Sequence, residues 1–162
     1  MRTWRAWLLV VCLVGLAGCG GGSELSKEEA AERIDQVCVE RSAYSAWLPA
    51  HAADEDLSAA EAARELEKRI DDIDDTDDLD APDEVTSALD KIEKLTDRPN
   101  GSGDSAEAKS VFEQVADLYD EIGADKCRDI MRANVLTLDG SKSLEDAYAE
   151  YDLTFPERPD DW

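Results

Sequence analysis

The stretch Ser26-Lys27-Glu28-Glu29-Ala30-Ala31-Glu32-Arg33-Ile34-Asp35-Gln36-Val37-Cys38 decides the fold. Ser26 with Glu29 three residues later is a capping box: the hydroxyl takes the glutamate's amide proton while the carboxylate reaches back to the serine amide. Apolar residues then return at Ala30, Ile34, Val37, Cys38, Tyr44 and Leu48, the spacing that stacks them on one face of a helix. Arg41 interrupts that stripe. Pro49 is expected to end the helix, because proline lacks an amide proton and its ring clashes with the preceding turn.

Three more helices follow in the same direction. Ser58 and Glu61 repeat the capping box, and Ala62, Leu66, Ile70 and Ile73 supply the stripe behind it. Pro82 suits a first helical position, with Val85, Leu89, Ile92 and Leu95 on the apolar face. After the loop 97–103, a fourth helix starts near Asp104 or Ser105 and carries Val111, Val115, Leu118 and Ile122, flanked by Phe112 and Tyr119. Gly123 is its natural stop, and Cys127 to Met131 add a turn beyond it. No strand of comparable strength precedes residue 133. The expectation is an all-α, antiparallel four-helix bundle-like domain over residues 26–132, since three of the connections are short.

Residues 133–162 form a C-terminal extension. Asp139-Gly140 marks a turn, Ser143 to Tyr151 suit a short helix, and Phe155 to Trp162 read as an extended run. The expectation is a loosely ordered tail; the alternative docks Phe155 and Trp162 on the bundle or on a partner protein.

Charge narrows the partners. The chain of 162 residues holds 40 Asp and Glu against 17 Lys and Arg, a net charge of -23, so nucleic acid is not an expected partner. Hydrophobic residues make up 43%, which argues against wholesale disorder, but aromatics only 6%, so the core is thin.

Upstream of Ser26 the character changes. Arg2 and Arg5 precede an uncharged apolar run from Trp7 to Ala17, the layout of a signal peptide over residues 1–18. That run is shorter than the ~20 residues a membrane-crossing helix needs. Leu16-Ala17-Gly18-Cys19 resembles the lipobox of bacterial lipoproteins. The resemblance implies cleavage between Gly18 and Cys19 and a diacylglycerol thioether on Cys19, hence a lipid anchor at the extracytoplasmic face of the cell membrane. Residues 19–25, with Gly20-Gly21-Gly22-Ser23, then form a flexible tether.

With Cys12 in the signal and Cys19 lipidated, Cys38 and Cys127 remain. Outside the cytoplasm they are expected to pair, closing a loop of nearly ninety residues that contributes about 4 to 5 kcal/mol. The chain thus resembles a group of small exported lipoproteins of high-GC Gram-positive bacteria. They share a lipobox, an early helix with one cysteine, and a Leu-x-x-x-Ile-Gly-like helix end before a second cysteine. Here those features are Cys19, Cys38 and Leu118 to Cys127. The resemblance supports the architecture and carries no activity.

In the acidic run Asp71 to Asp80, an EF-hand frame starting at Asp72 puts Asp77 where the turn glycine belongs, and one starting at Asp75 puts Leu79 at a ligand position, so the motif fails. No metal or cofactor is assigned. His51 is the single histidine, and no nucleophile elbow, phosphate loop, dinucleotide fingerprint or HExxH accompanies it. Tyr44 and Trp47 offer either a recognition patch or semi-buried caps. The leading expectation is a non-enzymatic envelope interaction domain, bound to the membrane through Cys19 and contacting an envelope protein. The alternative is a ligand- or divalent-cation-binding lipoprotein. An envelope hydrolase, the third reading, needs His51 beside a hydroxyl in a deep pocket.

Overall fold

The computed structural model describes residues 24–73, 79–96, 105–138 and 140–162, and among them every regular element is helical. The signal peptide, Cys19 and residues 20–23 of the tether lie outside the described residues, as do residues 74–78 of the acidic run and the loop 97–103. The tether's expected end at residue 25 is corrected: Leu25 packs on the first apolar cluster and its amide donates to Asp80 O at 2.7 Å, which fixes the chain before α1 begins. The elements are α1 (Lys27–Asp54), α2 (Ala59–Asp72), α3 (Asp83–Thr96), α4 (Ser105–Ile122), α5 (Asp125–Thr137) and α6 (Leu144–Glu150). Both serine capping boxes form, at Ser26 with Glu29 and at Ser58 with Glu61. Hydrogen bonds from each serine hold the paired glutamate below the usual carboxylate range.

Two expectations about helix ends need correction. α1 does not stop at Pro49 but runs on to Asp54, 28 residues in all. One missing amide bond is outweighed because the last turn is held from outside. His51 is buried, Trp47 Nε1 donates to Pro156 O at 2.9 Å, and Arg158 pairs with Asp54 at 2.8 Å. Likewise the chain beyond Gly123 is a helix of 13 residues rather than one added turn. Gly123 sits at φ +83, which ends α4, and the chain turns straight into α5. Ile130 and Ala133 of α5 are buried, so it has a core face of its own. α5 also runs without a break past the expected boundary at 132 and 133.

α5 is the hub: it packs on α1, α4 and α6, while α3 lies on α4 and α2 lies on α1. Two apolar clusters result. The first joins Ala30 and Ile34 of α1 to Val85 and Ala88 of α3, and to Ile122, Ala124 and Cys127 near the α4–α5 turn. Alanines 30, 81, 88 and 124 are half of its eight buried members. The second cluster groups Ile130 and Ala133 with Ala147 and Tyr148 of α6, and Leu153 and Phe155 of the tail pack on it. Cys38 touches both.

The C-terminal segment is ordered, which corrects the expectation of a loose tail. Trp162 stacks on His51 with ring centroids 4.5 Å apart and meets Tyr44 edge-on at 5.0 Å. Phe155 contacts Trp47 and Tyr148. Asp161 accepts from Tyr44 Oη at 3.1 Å and pairs with Arg69 at 2.6 Å, joining the tail to α1 and α2 together. Aromatic pairs of this kind add about 0.5–1.5 kcal/mol each beyond the area they bury, enough to order a short segment without helix or strand.

Candidate functional site

Cys38 and Cys127 are disulfide-bonded, with Cα atoms 5.5 Å apart and Cys127 fully buried. Since Cys127 lies in the first turn of α5, the bridge clamps α1 to α5 rather than to the end of α4. Its surroundings are built by Asp35. The residue before α5, Ala124, offers no side-chain cap. Asp35, one turn before Cys38 on α1, supplies it instead by accepting from the Cys127 amide at 2.9 Å. Burial pushes the Asp35 carboxyl above its usual range, against the opposing pull of the Cys127 and Lys126 amides. A cap contributed by a different helix leaves no local sequence signature, so nothing in the residues around Asp35 or Ala124 marks this contact in the sequence.

Beside the disulfide lies a partly open cavity of about 300 Å³. Ile34, Val37 and Cys38 of α1 contribute apolar wall, and Arg41, Ser42 and Ser45 continue along the same helix. Tyr119 comes from α4, Met131 and Asn134 from α5, and Leu144 and Tyr148 from α6. Burial raises the phenol pKa of both tyrosines; the Arg41 charge pulls Tyr119 the other way, which places that cation within electrostatic reach of the ring. Arg41 is the sole cationic side chain in the wall. It forms no ion pair with a described residue, and its Nε atom is buried without a hydrogen-bond partner. The interruption it makes in the α1 stripe was legible in the sequence; the cavity that receives it was not.

His51 stands elsewhere. It is buried under Trp162, with Nε2 3.4 Å from Glu65 Oε1, and among the described residues no hydroxyl group hydrogen-bonds to either ring nitrogen. Tyr44 and Trp47 are covered by the tail, so of the two readings of the pair they are semi-buried caps rather than an open recognition patch. Among the described residues no group of His, Cys, Asp and Glu is placed to hold a metal ion, and no described helix is long and apolar enough to cross a membrane. A second, shallower depression of about 410 Å³ lies between α3 and α4, framed by Lys91, Lys94, Leu95 and Leu118, and nothing in the structure shows what covers it.

No protein-family model matches the chain, and neither the curated proteins nor the solved structures contain a match to it.

Proposed function

We propose that this chain is a non-enzymatic, lipid-anchored binding domain at the extracytoplasmic face of a membrane, which holds a small ligand in the cavity beside its disulfide. The observation that carries the reading is the cavity itself: about 300 Å³, lined by apolar side chains around a few polar ones, the composition of a small-molecule site. The lipobox-like Leu16-Ala17-Gly18-Cys19 supplies the anchor and the glycine-rich residues 19–23 the reach, while the helices stand as an antiparallel bundle above the bilayer. A Cys38–Cys127 bridge fits an oxidising compartment outside the cytoplasm. Ligand binding replaces envelope-protein contact as the favoured reading because the two aromatics that would have anchored a partner already hold the tail.

Native mass spectrometry of the full mature chain, taken from the membranes of cells that make it, tests both halves. The expected mass begins at Cys19 with diacylglycerol attached and carries a non-covalent small-molecule adduct, which Ala46→Phe in the cavity wall removes. A mature chain without lipid overturns the anchor. An adduct that survives Ala46→Phe overturns the cavity as its seat.

A further inference from the structure

The ligand class follows from Arg41. On α1 it occupies a core-facing register, between Val37 and Cys38 on one side and Tyr44 and Leu48 on the other, where each neighbouring stripe position is apolar. In a chain with 40 carboxylates and 17 Lys and Arg, an arginine facing inward would be expected to find an acid. Arg41 finds none among the described residues, and its buried Nε has no acceptor. An unpaired charge with a buried, unsatisfied donor is costly, so the fold leaves a place for an anion that it does not itself fill.

The remaining wall sharpens the chemistry. Ser42 and Ser45 direct their protons to backbone carbonyls, Val39 O at 2.8 Å and Arg41 O at 3.2 Å. The donors on the cavity wall are then the guanidinium fork of Arg41, the Asn134 amide and the Tyr119 and Tyr148 hydroxyls. Arg41 alone among them carries a positive charge, and its planar fork matches the two oxygens of a carboxylate or phosphate. Ile34, Val37, Met131 and Leu144 give the rest of the ligand an apolar surface. About 300 Å³ is room for roughly ten water-sized groups, too little for a two-chain lipid. The net charge of -23 repels polyanions, which favours a ligand with a single anionic head group.

We propose that the cavity beside the disulfide binds a small single-chain organic anion, with its carboxylate or phosphate head on Arg41 and its apolar body against α1, α5 and α6. The proposal rests on the cavity's being a ligand site, and it names the class.

The test is equilibrium dialysis of octanoate, octyl phosphate and octanol against the lipidated mature chain in nanodiscs, with empty nanodiscs subtracted. One of the two anions is expected to bind roughly 10- to 100-fold more tightly than octanol, and which one identifies the head. Arg41→Met keeps the aliphatic stem and removes the fork. It is expected to erase the preference for the anion, leave octanol binding unchanged, and melt at the same or a higher temperature in the unliganded state. Octanol binding as tightly as both anions overturns the class, as does an Arg41→Met chain that melts lower while keeping its anion preference. Should Arg41→Met fail to fold, Arg41→Lys carries the same question: the anion is expected to weaken about tenfold relative to octanol, and equal weakening of both overturns the proposal. A cavity-dependent native adduct that is uncharged would sink this class while leaving the binding domain standing.

Discussion

The two halves of α1 are held in opposite ways. Residues 27–38 pack into a cluster in which alanines are half the buried members, closed by a covalent bridge from Cys38 to Cys127. Residues 44–54 are clasped by rings and ion pairs: Trp162 on His51 and Tyr44, Phe155 on Trp47, Arg158 on Asp54. Small side chains let helices approach closely but remove little apolar area from water each, whereas a buried large side chain contributes about 1.5–3 kcal/mol. The alanine-rich half therefore leans on a crosslink that restricts the unfolded chain. The aromatic half needs none, because its contacts are large and its partner segment is short. The cavity spans the junction between the two, its α1 wall running from Ile34 to Ala46.

The most severe way to break the contrast is to remove the bridge. Cys38→Ser with Cys127→Ser should lower unfolding free energy in urea by about 4–5 kcal/mol, because the bond spans 89 residues. A loss below about 1 kcal/mol would mean that the alanine cluster sustains itself.

Next in size is Trp162→Ala, expected to lose about 2–4 kcal/mol, below the full cost of a buried tryptophan because the ring is half-buried. Hydrogen exchange locates the effect: amides of residues 50–54 should lose protection while those of 30–38 keep it. Uniform loss along α1 would erase the distinction between its halves.

The smallest change sharpens the description of the crosslinked half. Asp35→Ala should lose about 1–2 kcal/mol as α5 loses its cap, while Asp35→Asn keeps an acceptor and should match or exceed wild type near neutral pH. The sign follows from the raised carboxyl. The folded state holds the proton more tightly than the unfolded chain, so the stability this group contributes is greatest below 3.8 and falls as pH rises through its folded value. The Asn variant should flatten that fall; an unchanged pH profile of melting temperature would remove Asp35 as its source.

Much of this was legible in the residues. The serine boxes at 26 and 58 announce two helix starts within a few residues, and the stripes of α1 to α4 recur at a spacing no strand shares. What was not legible came from contacts distant in sequence. Pro49 reads as a stop because the local rule knows only its missing donor, while the contacts that carry α1 to Asp54 arrive from residues 155–162. Residues 151–162 have no periodicity and read as loose, yet they are ordered by rings more than ninety positions away. Arg41 reads as a flaw in a stripe, and becomes a candidate ligand residue once α4, α5 and α6 surround it.

The sequence by itself determined the helical class, the capped helix starts, the acidic composition and the expected pairing of Cys38 with Cys127. These depend on spacings of three and four residues, on hydrogen bonds within a turn, and on counting. Tertiary structure alone decided the clasp of the tail, the borrowed cap at Asp35 and the cavity around Arg41. Each is made by groups on separate helices, and its energy exists only once those helices have met.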